Sequence, residues 1–443
     1  MNYTLELGLK GLCRHPRTML LAVFTMALGL AATMTMLTLL AMLSADPLPG
    51  QSRNLYLAWV DSRQAPDAGD KLDDESRTPP RLLKLADVKA LAAAMPQARQ
   101  AALVPTSLSL DNEDGSTQAS VRALLATGPM PSMFAVPLQH GRYWTAQEER
   151  EHAPVAIIDR ETSLKLLGTA NGAGQRVRIG RTLFQVIGIS AGWNPQPHFY
   201  ALQGNESAWG KQFAVRVYLP LESALDAGVT PASSQDCDRG KHGGFRFNEL
   251  DVGACRFLQL WAELTTPESV RSFNDQLDGY TRQRHAEGVF VRPPQSRLYS
   301  VRQWLAANRA VPASVHLNLW LAAGLLGLCM VNVAGLLAAR FLRRGTELGV
   351  RRVLGASRRD IVLQCLTEAG IAGLAGGLLA LPLTLFGLWV VRLQDRGYTE
   401  LAHLNPLLFL ALLALAVLVG LLVGVLPAWR ATRIEPALQV KSL

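Results

Sequence analysis

Four long stretches of the sequence contain no charged side chain, and this absence excludes an ordinary soluble enzyme. The first lies between Arg17 and Asp46, and the others cover residues 315–339, 369–391 and 404–426. Each can cross about 30 Å of hydrocarbon, which takes about 20 apolar residues. The mean hydropathy of the chain is nevertheless only +0.14. The sequence therefore predicts a few membrane spans together with one sizeable aqueous domain.

Catalytic motifs are also lacking. The sequence has no HExxH, GxSxG or CxxC pattern, and its histidines are scattered without metal-ligand spacing. The span interiors carry no charge, whereas ion and substrate routes through membranes are usually marked by buried ionisable groups. We expect no catalytic residue, no bound cofactor and no metal site in this chain, and no solute path through the spans.

Basic side chains lie beside the apolar stretches, which explains the net charge of +9 without nucleic acid. Loops rich in Lys and Arg stay in the cytoplasm. We therefore expect both termini and segment 340–368 to be cytoplasmic, and segment 45–314 to be periplasmic. The residues that favour this orientation are Lys10, Arg14, Arg17, Arg340, Arg343, Arg344, Arg351, Arg352, Arg358, Arg359, Arg430, Arg433 and Lys441.

Cysteine is scarce, with five residues in the whole chain. Cys13, Cys329 and Cys365 lie in or beside spans, where cysteine acts as a small buried apolar residue. Cys237 and Cys255 are the two in segment 45–314. In an oxidising compartment they form either a disulfide or two free thiols.

Segment 45–314 has the local patterns of an α+β domain with two subdomains. Expected strands are 54–60, 155–159, 175–179, 182–189, 215–220 and 257–264, and expected helices are 85–95, 161–167, 221–225 and 267–285. Gly180 and Arg181 predict a hairpin between two of the strands. Thr266 or Thr265 is placed to cap the last helix.

The stretch between the second and third spans combines a charged side with an apolar one. Glu347 and Arg351 have the favourable i, i+4 order of a helix, and Gly355 interrupts that helix. Ser357 followed by Asp360 resembles a capping box for the next helix. A short elbow of this kind either rests on anionic lipid or docks a cytoplasmic partner, and the residues alone leave both interpretations open.

Several motifs resemble the FtsX/MacB-type permeases of ABC transporters, a family of mechanotransmission (type VII) transporters. The signature is TELGVRRVLGASRRDIVLQCLTEAGIAGLAGGLLAL, and LPAWRATRIEPALQVKSL is similar to the family's C-terminal ending. GPMPSMFAVPLQHGRYWTAQEEREHAPVAIIDRETSLKLLG and GQRVRIGRTLFQVIGIS look like a MacB-like periplasmic core domain. The resemblance covers most of the chain in the family's order.

The resemblance implies a membrane protein with four transmembrane helices and a large α+β periplasmic domain inserted between the first two. The implied organisation is a cytoplasmic amphipathic lead (1–17), helix 1 (18–44), periplasmic domain (45–314), helix 2 (315–339), coupling elbow (340–368), helix 3 (369–391), helix 4 (404–426) and cytoplasmic tail (427–443).

It further implies a cytoplasmic ABC ATPase dimer, with ATP and Mg bound there, beneath two copies of the permease or a heterodimer. MacB carries its ATPase domain ahead of the first span, and only seventeen residues precede it here, so we expect a separate ATPase subunit. The residues implied to couple to it are Glu347, Leu348, Arg351, Arg352, Leu354, Gly355, Ser357, Arg358 and Arg359. Residues expected to pack helices are Asn332, Gly373, Gly376 and Gly377.

The function implied is tripartite export of peptides, antibiotics or similar substrates from the inner membrane of a Gram-negative bacterium. The expected partners are a periplasmic adaptor, a TolC-like outer-membrane duct and membrane lipid. Lipoprotein release and FtsX-like regulation of cell-wall hydrolases are the alternatives within the superfamily.

Overall fold

A computed structural model describes residues 16–62, 82–202, 214–231, 236–237, 252–253, 255–343, 355, 357–393, 407, 410–411, 413–415, 417–419, 421–422 and 425. These residues form two compact units. One contains the first helix and the chain after Ala310, and the other spans Ala45–Ala310. In chain order, the second unit lies between the first long helix and the next.

The helices of the described residues differ widely in length. They are α1 (Pro16–Leu43), α2 (Leu85–Ala94), α3 (Met130–Met133), α4 (Ala146–Arg150), α5 (Arg160–Leu167), α6 (Leu221–Asp226), α7 (Pro267–Ala286), α8 (Val301–Ala307), α9 (Ala313–Arg343) and α10 (Arg358–Leu393). Short 3₁₀ turns cover Ser52–Asn54 and Phe199–Ala201.

The described strands all lie in unit Ala45–Ala310. They are β1 (Leu55–Val60), β2 (Arg99–Asn112), β3 (Gln118–Ala126), β4 (Leu138–Gly141), β5 (Val155–Asp159), β6 (Arg176–Ile179), β7 (Thr182–Ser190), β8 (Val217–Pro220), β9 (Asp236–Cys237), β10 (Cys255–Arg256), β11 (Gln259–Glu263) and β12 (Ser296–Ser300).

Ten of these strands form one mixed sheet in the order β12-β1-β11-β2-β3-β8-β5-β7-β4, with β6 pairing to both β2 and β7. Strands β2, β3, β8, β5, β7 and β6 therefore close into a ring. Strand β2 belongs both to the ring and to the extension formed by β11, β1 and β12, because Arg99–Leu103 pairs with β11 and Leu103–Asp111 pairs with β3. The expected subdomains thus share a strand within one unit.

Both faces of the extension are covered, as the alternation along β11 shows. Leu260 and Ala262 belong to the large apolar core that also contains Leu91 of α2 and Phe273 of α7. Trp261 points to the other face, where its ring lies 5.2 Å from that of Phe199, centroid to centroid. Side chains alternate between faces along a strand, so β11 supplies both layers.

The membrane unit is built around α1, which packs against both α9 and α10. Met26, Leu30 and Met34 of α1 are buried together with Val333 and Ala369 from the other two helices. The outward sides are strongly apolar: Trp320, Leu321, Leu328, Val331, Leu378, Phe386 and Trp389 are all exposed by more than half. Such faces suit contact with hydrocarbon.

Three helices of the described residues are long and apolar enough to cross a membrane, over Thr18–Leu43, Ala313–Arg340 and Arg359–Leu393. Most of the fourth expected span, 404–426, lies outside the described residues. The positions described within it are helical. One of them, Leu421, faces Gly370 of α10, where an added Cβ would meet its Cδ2 at 3.2 Å.

Candidate functional site

The start of α10 is the best-defined part of the expected coupling elbow. The Ser357 backbone N–H donates to Asp360 Oδ2 at 3.0 Å, and the Asp360 N–H donates to Ser357 Oγ at 3.2 Å. This reciprocal pair is a capping box, in which two N–H groups without helical partners are satisfied by side chains. The structure confirms that Ser357 caps the helix.

Gly355, two residues earlier, has φ +100° and is exposed. This backbone conformation strains any residue with a Cβ, so glycine suits the position. The chain therefore turns sharply just before the capped end of α10.

The other expected coupling residues are described unevenly. Arg358 is the first residue of α10, and the Arg359 side chain is exposed in its first turn. Glu347, Leu348, Arg351, Arg352 and Leu354 lie outside the described residues, and their coupling role stays a prediction.

Two charged side chains are buried within the long helices of the membrane unit. The sequence analysis expected no charge inside a span. Arg340 of α9 and Glu368 of α10 are 7% and 3% exposed, and Arg340 Nη2 lies 3.7 Å from Glu368 Oε2. The sequence analysis put both residues in the elbow, outside the spans. The helices are longer than the charge-free stretches, so both residues lie within continuous helix. The only signal in the sequence was one acidic residue, Glu368, within the otherwise apolar stretch CLTEAGIAG.

The residues expected to pack helices fall into two groups. Gly373, Gly376 and Gly377 of α10 are buried, and a Cβ at Gly376 would meet the Met26 side chain of α1 at 3.3 Å. At Gly376, the glycine face thus lies against α1 of the same chain. Asn332, in contrast, is exposed on α9.

Cys255 is disulfide-bonded, and its backbone partner across the β9–β10 ladder is Cys237. Cys329 and Cys365 are free thiols buried in the membrane unit. These placements suit an oxidising compartment for unit Ala45–Ala310.

Unit Ala45–Ala310 has no evident reaction centre among its described residues. In the part of the chain that the structure describes, no group of three His, Cys, Asp or Glu side chains is arranged to hold a metal ion. His152 is exposed between Glu222 and Asp226, with Nδ1 2.7 Å from Asp226 Oδ2. The hydrogen bond that His152 donates to the Asp226 carboxylate raises the pKa of His152 above its usual value.

His198 is the most buried histidine described. It has no exposed surface, and its Nε2 lies 2.7 Å from Asn194 Oδ1. Burial, helped by the charge of Arg122, lowers the pKa of His198 to about 4. A neutral histidine among Tyr200 and other aromatic rings is a packing element rather than a proton donor at neutral pH.

The face of the sheet that carries Trp261 holds a cluster of buried aromatic rings. Phe134 stacks on Phe199 with centroids 5.8 Å apart, and Trp193 lies 4.8 Å from Tyr200. Two indole N–H groups donate to the backbone: Trp193 Nε1 donates to Phe134 O, and Trp304 Nε1 donates to Phe199 O. The cluster fixes the 3₁₀ turn Phe199–Ala201 against the sheet, which makes it structural.

Two family models match the chain. The MacB-like periplasmic core domain matches residues 19–280, more than half of the chain, and the FtsX-like permease C-terminal domain matches residues 320–436.

Curated relatives agree with these models. The chain is 26% identical to macrolide export ATP-binding/permease protein MacB 2 of Aeromonas hydrophila over 68% of this chain and 40% of that protein. It is 26% identical to the pyoverdine export ATP-binding/permease protein PvdT of Pseudomonas putida over 69% of this chain and 40% of that protein. For MacB of Bordetella avium the identity is 25%, over 83% of this chain and 50% of that protein. The chain thus spans half or less of the length of these relatives.

Among solved structures, the periplasmic region of MacB from Actinobacillus actinomycetemcomitans matches with a TM-score of 0.35 and 13% identity, over 58% of this chain and 94% of that one. On the two family models, the chain belongs to the FtsX/MacB-type family of ABC transporter permeases and carries a MacB-like periplasmic core domain.

Proposed function

We propose that this chain is the permease subunit of a tripartite exporter, and that it relays the work of a separate cytoplasmic ATPase to its periplasmic domain. In this proposal the chain crosses a Gram-negative inner membrane four times with both termini in the cytoplasm. A second permease, a periplasmic adaptor and a TolC-like duct complete the machine, and ATP and Mg bind the ATPase.

The observation that carries the proposal is the continuity of α10. This helix has 36 residues, so at 1.5 Å per residue it is about 54 Å long. It therefore exceeds the hydrocarbon core, which is about 30 Å thick. A displacement of its capped end at Ser357 is carried along this continuous helix towards Leu393, with one backbone hydrogen bond missing at Pro382.

The role of α1 supports the same mechanism. This helix packs against α10 and α9, and the chain leads directly from its last residue, Leu43, into unit Ala45–Ala310. Movement of α10 thus reaches α1 through their packing, and α1 is joined covalently to the periplasmic domain. No solute needs to pass between the helices.

The family members compared above are named as ATP-binding/permease proteins for macrolide or pyoverdine export. The two models that match this chain cover a periplasmic core and a permease C-terminal domain. We assign ATP hydrolysis to a partner subunit, and peptides, antibiotics or similar molecules in the periplasm as cargo.

The test is purification of the tagged full chain from native membranes, with identification of the bound subunits. We expect an ABC ATPase in stoichiometric amount. Arg351→Glu combined with Arg352→Glu should lower recovery of the ATPase at least about tenfold. Reversing the charge on one side of an interface replaces attraction to the partner by repulsion. A matched control is Arg392→Glu, near the other end of α10, combined with Arg396→Glu four residues later in the sequence; it should leave recovery unchanged.

Equal ATPase recovery in the elbow variant and wild type would assign these arginines to lipid contact. Recovery of no ABC ATPase with the wild-type chain would refute the proposed function. Lipoproteins released into the periplasm in a chain-dependent way would favour the lipoprotein-release alternative over tripartite export.

A further inference from the structure

The buried contact between Arg340 and Glu368 links three helices. The two side chains, which are 7% and 4% exposed, approach within 3.7 Å between α9 and α10. The other guanidinium nitrogen, Nη1, donates to Met19 Sδ of α1 at 3.1 Å. One arginine thus contacts both of the other long helices described.

Each charge lies in a row of buried side chains. On α9, Val333, Leu337 and Arg340 follow one another on a single face, and all three are buried. On α10, Ile361, Cys365 and Glu368 do the same. The spacing of three and four residues is that of one helix face, so the pair continues the apolar contact of the membrane unit.

A charged side chain is costly away from water, and the cost falls only when an opposite charge lies beside it. Helices α9 and α10 otherwise pack chiefly through α1. If either helix slid along α1, Arg340 and Glu368 would separate while still buried. The pair therefore resists sliding more strongly than an apolar contact does, because apolar side chains exchange neighbours with little loss.

Arg340 and Glu368 are also the first and last residues of the coupling elbow. Arg340 lies in the last turn of α9, and Glu368 lies in α10 after its capped start at Ser357. Force applied at the start of α10 passes Ile361 and Cys365 and then reaches this contact, about three turns into the helix.

We infer that Arg340 and Glu368 form a positioning pair that makes α1, α9 and α10 move as one body where they border the elbow. The inference rests on the proposed function, since it names the contact by which a push on the elbow reaches α1. Neither residue touches cargo or nucleotide in this role.

The experiment uses the full chain with its co-purified ATPase in lipid nanodiscs, and measures hydrogen–deuterium exchange with and without ATP. In wild type we expect ATP to change exchange at least about threefold both at the start of α10 (358–364) and in α1 (18–26), because cooperative segments open together.

The decisive variant is Arg340→Met with Glu368→Leu, which keeps the buried volume without charge and is expected to fold. The ATP-dependent change should persist at 358–364 and fall to less than about half at 18–26. The charge-reversed pair, Arg340→Glu with Glu368→Arg, restores the ion pair but not the bond to Met19. It should keep the change at 358–364 and retain more of the change in α1 than Arg340→Glu alone, which should lose it there.

An undiminished response of α1 in the apolar pair would show that the contact only fills space, and would overturn the inference while leaving the proposed function intact. If the apolar pair fails to insert, the charge-reversed pair decides: a defect equal to that of Arg340→Glu alone would overturn the inference. A wild-type complex without any ATP response would refute the proposed function itself, and the inference with it.

Discussion

The start of α10 depends on two side chains. Ser357 and Asp360 satisfy each other's backbone N–H groups, and Ser357 Oγ also lies 2.6 Å from Asp360 Oδ2. A carboxylate in the first turn is favoured further by the helix dipole. The residues are exposed, so the cap acts locally and defines where the rigid part of α10 begins.

We expect Ser357→Ala to destabilise the first turn of α10 by about 1 kcal/mol, the usual cost of losing a capping side chain. Hydrogen exchange of residues 358–361 in the full chain in nanodiscs measures the effect as faster exchange. Ser357→Thr keeps the hydroxyl as both acceptor and donor and serves as the control. Equal exchange in all three proteins would show that the capping box does not hold the turn.

The second informative residue is His198, which burial keeps neutral. Its pKa is lowered to about 4 in the folded protein, while an unfolded histidine titrates near 6.5. The unfolded chain therefore binds the proton first as the pH falls. The free energy of unfolding contributed by this group is fully present above about pH 6.5 and is lost progressively towards pH 4.

We expect the wild-type chain to lose roughly 3 kcal/mol of stability between pH 6.5 and pH 4 through this residue, since one pKa unit corresponds to about 1.4 kcal/mol. His198→Gln should show a correspondingly smaller loss. His140 is exposed on β4, so His140→Gln is the control and should keep the wild-type slope. Thermal unfolding in detergent across this pH range gives the comparison; parallel slopes for all three would contradict the assignment.

At the scale of elements, the contact between α1 and α9 depends on a missing side chain. A Cβ at Gly29 would lie 3.1 Å from Leu326 Cα and 3.1 Å from Cys329 Cβ. Thr33, one turn along α1, donates to Ala322 O of α9 at 3.2 Å. Small residues let helices approach closely in membranes, where hydrogen bonds between helices add to the packing.

We expect Gly29→Leu to force α1 and α9 apart and to destabilise the membrane unit by about 1–3 kcal/mol, as overpacking does in cores. Gly324 of α9 has no neighbour within 4 Å of its Cβ position among the described residues, so Gly324→Leu is the matched control. Thermal unfolding in detergent should separate the two variants. An equal fall in the unfolding temperature of both variants would show that the close approach at Gly29 is not the cause.

Elements specified by local patterns could be predicted from the sequence, and those specified by distant partners could not. The hairpin of β6 and β7 around Gly180, the cap of α7 at Thr266 and the cap of α10 at Ser357 each depend on residues close in sequence. Strand β2 escaped prediction although it forms a hairpin with β3, which follows it directly in the chain; only its pairing with β11 and β6 is long-range.

The pairing of Arg340 with Glu368 was also not predicted, because it too depends on a distant partner. Arg340 and Glu368 lie on different helices separated by the elbow, and each ends a charge-free stretch when considered alone. Periodicity marks the buried face of a helix, but it does not show which face of another helix lies opposite. Their pairing follows only from the packing of α9 and α10 around α1.

For the whole molecule, the central question is which compartment each unit faces. The membrane unit exposes apolar faces, and unit Ala45–Ala310 contains a disulfide-bonded cysteine, Cys255. Arginines follow α9 and begin α10. The positive-inside rule and the redox state of Cys255 therefore favour the same orientation, although they depend on unrelated physical chemistry.

We expect a membrane-impermeant maleimide to label Leu164→Cys, but not Arg359→Cys, in intact cells whose outer membrane has been made permeable. Leu164 is 44% exposed on α5, and Arg359 is exposed at the start of α10. The wild-type chain sets the background, since Cys329 and Cys365 are buried. Disrupting the inner membrane should raise labelling of Arg359→Cys to that of Leu164→Cys, which proves that its thiol is reactive. Labelling of Arg359→Cys with Leu164→Cys protected would place the large unit in the cytoplasm, where it has no access to periplasmic cargo, and the exporter proposal would fail.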